Sequence, residues 1–481
     1  VLAAALLCIL IGGWTWARPG SASTSTPLLV FDTARPGGEL PLGAIGLSME
    51  AFELGSSHLR SEHRRLVRLM RLLGPSVLRI GGNSIDTSWW TASGEPHPSW
   101  ANNIVTPADL LTLAGLLRAT GWHAILGVDL GHFEPGRISQ EARYARRILG
   151  GRLLGIELGN EPDDFGRKTM LRAPGYDASE YLREARTYAR AVDAAGVKVI
   201  GPALGRTEWL SQLGAAESVF SQLTLHYYPS STCTGLSDAA ARAGGTELLA
   251  PGVREQEEAT ITALVHAGSL AGRQGRIGET NTAACPQSPA AGPVFSSALW
   301  ALDLSLRAAS QGVTGINFHS DLNACGSHSE SPICAASPAA ALAGDFEAQP
   351  EYYGLLAARQ LEGGRFLVTS VHGPPLSKEV SVYATLARDG SVRVAIDDLA
   401  LEGAAQQLAL LVPAGQRVTV QRLSGELRVR GAPVSLGGVG VSAAGTWRPR
   451  PTTFTGAAGV VDVTVPPASA VILVLSPSGT A

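Results

Sequence analysis

Two glutamates stand where short apolar runs stop. In Gly155-Ile156-Glu157-Leu158-Gly159-Asn160-Glu161-Pro162, a strand-like stretch runs straight into Asn-Glu-Pro. In Ile277-Gly278-Glu279-Thr280-Asn281, a second acidic residue closes another short run. Cleavage of a glycosidic bond needs such a pair. One carboxyl stays protonated to release the leaving oxygen, and the other stays ionised to attack the anomeric carbon. Different surroundings must hold their pKa values apart. Alone, each glutamate could equally be a solvated loop residue, a helix cap or half of an ion pair. Glu157 precedes the strand end and suits a buried, paired role.

Other polar residues sit at similar positions. In Gln222-Leu223-Thr224-Leu225-His226-Tyr227-Tyr228-Pro229 a period of two puts His226 and Tyr228 on one face. A tyrosine hydroxyl there can hold the carboxylate of Glu279, although an ordinary core aromatic has the same pattern. Arg79 can keep Glu279 ionised or serve a structural ion pair. Asn83, after Gly81-Gly82, can meet a sugar hydroxyl or simply close a turn. Glu50, Asp129, His132, His319 and Asp321 also follow apolar runs and are candidate ligand contacts. Trp89, Trp90 and Trp100 occupy one long loop, as a sugar-stacking wall or as packing.

Eight elements must position these groups. Strand candidates are Gly43–Ser48, Val77–Gly81, His123–Leu130, Leu153–Leu158, Val197–Gly201, Gln222–Tyr227, Arg276–Glu279 and Gly315–Phe318. They are short and often continuously apolar, as expected for parallel strands covered on both faces. Helical patterns alternate with them: Ser57–Leu73 is one, Thr106-Pro107 opens another that exits at Gly121, and Asp177 with Glu180 caps a third. This alternation predicts an α/β fold, a (β/α)8 TIM barrel over residues 41–365, with catalytic groups at the carboxyl ends of its strands. An open doubly wound sheet is the alternative, but no Gly-x-Gly-x-x-Gly turn follows the first strand. Beyond Phe366 the period becomes two, Asp389-Gly390 marks a hairpin, and residues 366–478 read as a C-terminal antiparallel β-sandwich. Leu28–Phe31 reads as a strand that can join it, giving a second domain of 28–40 plus 366–478.

Composition narrows the function. The chain has 481 residues, with 38 Lys plus Arg against 41 Asp plus Glu, a formal net charge of −3. That balance argues against a nucleic-acid partner. Residues 1–26 begin with the apolar run VLAAALLCILIGGWTW, about the length of a signal-peptide core, so the expected location is secreted or extracytoplasmic, with no membrane association once the leader is removed. Four cysteines follow it. Cys325 and Cys334 close a short loop and are the first disulfide candidate, with Cys233 and Cys285 the second. No Walker loop, zinc-binding His-Glu-x-x-His or Gly-x-Ser-x-Gly elbow occurs. Two-carboxylate chemistry calls for no metal and no organic cofactor.

Taken together, GLSMEAFELG, VLRIGGNSIDTSWW, GIELGNEP, LTLHYYP, IGETN and GINFH resemble glycoside hydrolase family 79, the β-glucuronidases and heparanase-like enzymes of the retaining (β/α)8 clan. The resemblance runs from about Pro41 to Leu361 and extends to the sandwich tail. It implies hydrolysis of terminal β-linked glucuronic acid from a glycan or glycoside, with Glu161 as general acid/base, Asn160 against the sugar 2-hydroxyl and Glu279 as nucleophile. The family places tyrosines around the sugar carboxylate after the seventh strand, whereas Thr280 to Gly292 contains none. The alternatives are a retaining glycosidase for another sugar, an endo-acting heparanase-like enzyme, and a non-catalytic carbohydrate-binding protein.

Overall fold

The computed structural model describes residues 26–215, 219–229, 245–284, 294–323, 325, 331–427, 429–456 and 459–477. The chain opens with β1 (Leu28–Asp32). It then alternates strands and helices: β2 (Ile45–Glu50), α1 (Arg64–Leu72), β3 (Val77–Gly81), α2 (Pro107–Thr120), β4 (His123–Val128), α3 (Pro135–Leu149), β5 (Leu153–Leu158), α4 (Ala178–Asp193), β6 (Val199–Leu204), α5 (Leu210–Ala215), β7 (Gln222–Tyr227), α6 (Pro251–Ala271), β8 (Gln274–Thr280), α7 (Phe295–Ser310), β9 (Ile316–His319) and α8 (Pro350–Ala358). Strands β2 to β9 pair in sequence order, all parallel, and β9 closes on β2. This is the expected (β/α)8 barrel. Every residue of β3 and of β6 is buried, which explains why these runs are apolar without alternation.

Local chemistry sets the helix ends. Thr106 and Asp109 form a reciprocal capping box at α2, with Pro107 in its first turn and Gly121 left-handed at its exit. The Asp177 carboxylate accepts from the backbone of Ser179 and Glu180, and Tyr181, Ala185, Tyr188 and Val192 face inward from α4. The first helix departs from expectation: α1 begins at Arg64 rather than Ser57. The preceding residues satisfy each other locally instead. His58 Nδ1 meets Glu53 Oε2 at 2.8 Å and the His58 N–H donates to Ser56 Oγ, so side chains compete with the helical ladder.

The C-terminal part comprises β10 (Val368–His372), β11 (Val380–Ala387), β12 (Val392–Asp398), β13 (Gln406–Leu411), β14 (Arg417–Ser424), β15 (Val460–Val465) and β16 (Ser469–Leu475). One sheet runs β10-β1-β13-β15 and the other contains β11-β12-β16-β14 in that order. These sheets form the expected β-sandwich. Between them lies a core that includes Leu29, Val394, Ile396, Leu408, Leu410, Val463, Val471 and Leu473. The strand β1 pairs antiparallel with β10 and parallel with β13, the one parallel contact among the described sandwich pairs. Cys325 and Cys334 form a disulfide with Cα atoms 5.1 Å apart. Cys233, Cys285 and residues 1–25 of the expected leader lie outside the described residues.

A buried polar cluster joins barrel to sandwich. Asp303 on α7 accepts from Tyr383 (2.6 Å) and Ser381 (3.0 Å) on β11, and pairs with Arg307 and with Arg254 of α6. Arg307 also meets Glu257 at 3.1 Å. Removing the shared acceptor takes a carboxylate from two guanidinium groups at once and leaves the largely buried Arg307 with Glu257 as its carboxylate partner. Asp303→Ala is therefore expected to lower unfolding stability by about 3–5 kcal/mol, read as a shift in the chemical-denaturation midpoint.

Candidate active site

The floor of the barrel mouth is polar. Four strands each carry one polar side chain inside an apolar triplet: Ser48 in β2, Arg79 in β3, Glu157 in β5 and Thr224 in β7. All four are buried. Arg79 is their hub. Its Nε donates to Glu157 Oε2 at 2.7 Å, Nη1 donates to Ser48 Oγ at 3.2 Å and to Glu279 Oε2, and Nη2 donates to Asn160 Oδ1 at 2.8 Å. The other oxygen of Glu157 accepts from Thr224 Oγ1 at 2.7 Å. Burial alone would lower the Arg79 pKa, but Glu157 and Glu279 raise it further, so the guanidinium stays charged.

Glu279 sits on β8 above this floor. Its Oε2 faces Arg79 and its Oε1 accepts the Tyr228 hydroxyl at 2.6 Å. His319 Nδ1 approaches the same carboxylate at 3.8 Å. Burial would push this carboxyl up. The charges of His226, His319 and Arg79, with the tyrosine hydrogen bond, outweigh it and hold Glu279 well below the usual carboxylate range. Burial and the neighbouring Glu279 push the Tyr228 phenol well above its ordinary value, so it remains a donor.

Glu161 leaves β5 in a left-handed conformation, φ 47° and ψ 53°, uncommon for a residue with a side chain. Its N–H donates to Ala203 O at 2.9 Å, and Pro162 follows. Gly205 makes room for it: a Cβ there would lie 3.1 Å from the Glu161 carboxyl carbon. The carboxylate meets His226 Nδ1 at 3.0 Å and is 22% exposed, against 9% for Glu279. One oxygen of Glu161, one of Glu279 and a ring nitrogen of His226 all lie within 4.8 Å of one another. Three such groups could hold a metal ion, yet the Arg79 guanidinium already lies against Glu279 and opposes a second positive charge.

Asn160, Asn83, Glu50 and His319 gather around this pair, whereas Asp129 bonds to His132 and Asp321 lies toward His58. Asn160 is buried, and its Nδ2 donates to Asn83 Oδ1 at 3.1 Å. Asn83 is exposed. Glu50 accepts from the Ser84 N–H at 2.8 Å and from the Asn83 N–H at 3.3 Å, and lies 3.9 Å from His319 Nε2. Gly82 has φ +71°, and a Cβ there would lie 2.4 Å from the Glu50 carboxyl carbon, so the turn admits only glycine. Two further candidates lie deep. Arg79 is fully buried beneath the carboxylates, and His226 is 3% exposed; both contact the carboxylates themselves. Ser48, Ser84 and Thr224 escape sequence reasoning. The visible sign for Ser48 and Thr224 is a lone polar residue within LSM and LTL, matching LRI and IEL at the same depth.

No protein-family model matches this sequence. No curated protein matches it. Solved structures match along almost the whole chain. A 4-O-α-L-rhamnosyl-β-D-glucuronidase from Fusarium oxysporum 12S is 19% identical with a TM-score of 0.71, covering 92% of this chain and 99% of that one. A family 51 arabinofuranosidase from Xanthomonas axonopodis pv. citri is 16% identical at a TM-score of 0.65, covering 94% and 99%. An α-L-arabinofuranosidase from Thermotoga maritima is 16% identical at 0.66, covering 93% and 99%. At these identities the likeness establishes the fold.

Arg79 neutralises two buried carboxylates, so its loss should be felt as stability. Arg79→Met is expected to cost about 3–5 kcal/mol at pH 7. Glu279 has a depressed folded pKa, so the stabilisation it draws from Arg79 is present above the unfolded-state value near about 4.3 and is lost as pH falls through the folded one. The gap between wild type and variant should therefore narrow below about pH 4 in denaturation curves.

Proposed function

We propose that this chain is a retaining β-glycosidase that hydrolyses terminal β-linked glucuronic acid, with Glu279 as nucleophile and Glu161 as acid/base. The observation that carries the reading is the meeting of these carboxylates within 4.8 Å in unlike surroundings. Glu279 is pinned ionised by Arg79, Tyr228 and two imidazoles. Glu161 is the more exposed of the two and faces His226. The short gap favours direct attack on the anomeric carbon over the wider spacing that admits an inverting water.

The chemistry then follows in two displacements. The Glu279 carboxylate attacks the anomeric carbon while Glu161 protonates the glycosidic oxygen, and the leaving group departs. A glycosyl ester remains on Glu279. Glu161, now a carboxylate, takes a proton from water, and the resulting hydroxide attacks the same carbon and frees Glu279. Tyr228 and Arg79 take up the charge that returns to Glu279 in the second step. Asn160, tied between Arg79 and Asn83, supports a contact to the sugar 2-hydroxyl.

The sugar assignment draws support from the family 79 resemblance and from the likeness to a fungal β-D-glucuronidase. A neutral sugar, such as an arabinofuranoside, is the second reading. Arg79, the guanidinium beside the reaction centre, has Nε, Nη1 and Nη2 all committed to protein acceptors, which leaves it poorly placed to greet a sugar carboxylate. The apolar leader and the Cys325–Cys334 disulfide support an extracytoplasmic enzyme. No helix of the described residues is long and apolar enough to cross a membrane.

A panel of 4-nitrophenyl β-glucuronide, β-glucoside, β-xyloside and α-L-arabinofuranoside tests both layers. The β-glucuronide should turn over fastest, and Glu279→Gln should abolish turnover. Glu161→Gln should lower the rate about 10²–10⁴-fold with poor leaving groups and far less with a dinitrophenyl group. Proton NMR should show the β-anomer of the free sugar first. Undiminished activity of Glu279→Gln, or initial release of the α-anomer, overturns the mechanism.

A further inference from the structure

The long loop after β3 presents a fixed aromatic ring. Trp100 is half-buried, while its loop neighbours Trp89 and Trp90 are buried and pack the loop on the barrel. The indole of Trp100 lies flat on the His132 imidazole, with ring centroids 3.5 Å apart and planes 3° from parallel. Trp89 meets Trp100 edge-on at 5.6 Å. The Arg137 guanidinium covers Trp89 at 3.3 Å and is itself tied to Trp90 O, Glu95 and Glu134.

Each layer under Trp100 is anchored to the barrel. Asp129 follows β4 and holds His132 twice, through its N–H at 3.1 Å and its ring Nδ1 at 3.2 Å. The adjacent Gly131 N–H donates to Asp86, which belongs to the same short 3-10 helix as Asn83. On the other side, β4 pairs with β5, and the Gly159 N–H donates to Val128 O just ahead of Asn160 and Glu161. The stack is thus tied to the short helix that carries Asn83 and to β4, the neighbour of the strand that leads into Asn160 and Glu161. Packing a loop would be served by burying the ring. Here the buried indoles do that, and a third is held rigid at half exposure, with no hydrogen bond to its N–H among the described residues.

We propose that Trp100, backed by His132, is the platform of a second saccharide subsite on the Glu161 side, where the C–H face of the pyranose in the leaving group stacks. A flat, pre-oriented aromatic face binds such a ring at little ordering cost, because the protein has already fixed it. The inference rests on the glycosidase reading above and adds to it a demand for a saccharide aglycone. It makes Trp100 a specificity residue with no part in the bond-making steps.

The test compares two substrates and one direct binding measurement. The kcat/KM of wild type, Trp100→Ala and Trp100→Phe is measured on 4-nitrophenyl β-glucuronide and on a β-glucuronosyl disaccharide. Trp100→Ala should lower the disaccharide value at least about fivefold more than the aryl value, mainly through KM, and Trp100→Phe should recover most of the difference. Independently, the disaccharide is titrated into Glu279→Gln with and without Trp100→Ala, by calorimetry; the affinity should fall by a similar factor. Equal losses on both substrates, or unchanged disaccharide affinity, overturn the subsite. If Trp100→Ala does not fold, the same ratios are read from Trp100→Leu. If wild type hydrolyses none of the aryl panel, the glycosidase reading fails, and the calorimetric arm still decides whether Trp100 stacks a sugar.

Discussion

A single guanidinium under the barrel mouth organises everything above it. Arg79 binds Glu157 below and Glu279 above, and steadies Asn160 at the side. One cation serving two buried carboxylates leaves residual negative charge, which the neighbouring imidazoles and the Tyr228 hydroxyl help to hold. With those imidazoles and that hydroxyl, the cation holds Glu279 ionised against desolvation, and only an ionised carboxyl can act as a nucleophile. The arrangement is possible only in a closed barrel, because β3, β5 and β8 must bring their side chains to one axis. An open sheet would place them along a line.

The two glutamates then differ by environment alone. Glu279 lies within a barrel strand, buried, with both oxygens engaged. Glu161 is the third residue past a strand, in a left-handed backbone fixed between Ala203 and Pro162, where its carboxyl meets an imidazole and partial solvent. Strain at such a position is retained when neighbouring structure over-determines it. The Glu161 N–H bond to Ala203 and the close fit against Gly205 supply that support.

Much of this was legible in the residues. Val77–Gly81, Leu153–Leu158 and Gln222–Tyr227 follow the expected bounds to the residue, because each is a short apolar run with punctuation on both sides. The end-of-strand glutamates stood out for the same reason. What the sequence concealed was depth. His226 shares the Tyr228 face in the strand pattern, yet it is buried against Glu161, and Arg79 lies deeper still, beneath Glu279. Helix α1 is shorter than its pattern suggests because Leu59 keeps the helical apolar spacing while Ser56 and His58, just ahead of it, bond to each other and to Glu53. Ser48 and Thr224 were invisible, since a lone hydroxyl in a strand has no signature until its partner across the barrel is known.

The first strand deserves a last word for when it can form. Leu28–Asp32 emerges from the ribosome before the barrel, yet its partners Val368–His372 and Gln406–Leu411 lie beyond the whole barrel in sequence. While the barrel is made it must wait as an unpaired apolar ribbon, and its sheet can form only once those later strands have emerged. Once docked, it acts as a clasp. Trimming the chain at the front would open the same sheet as trimming it at the back.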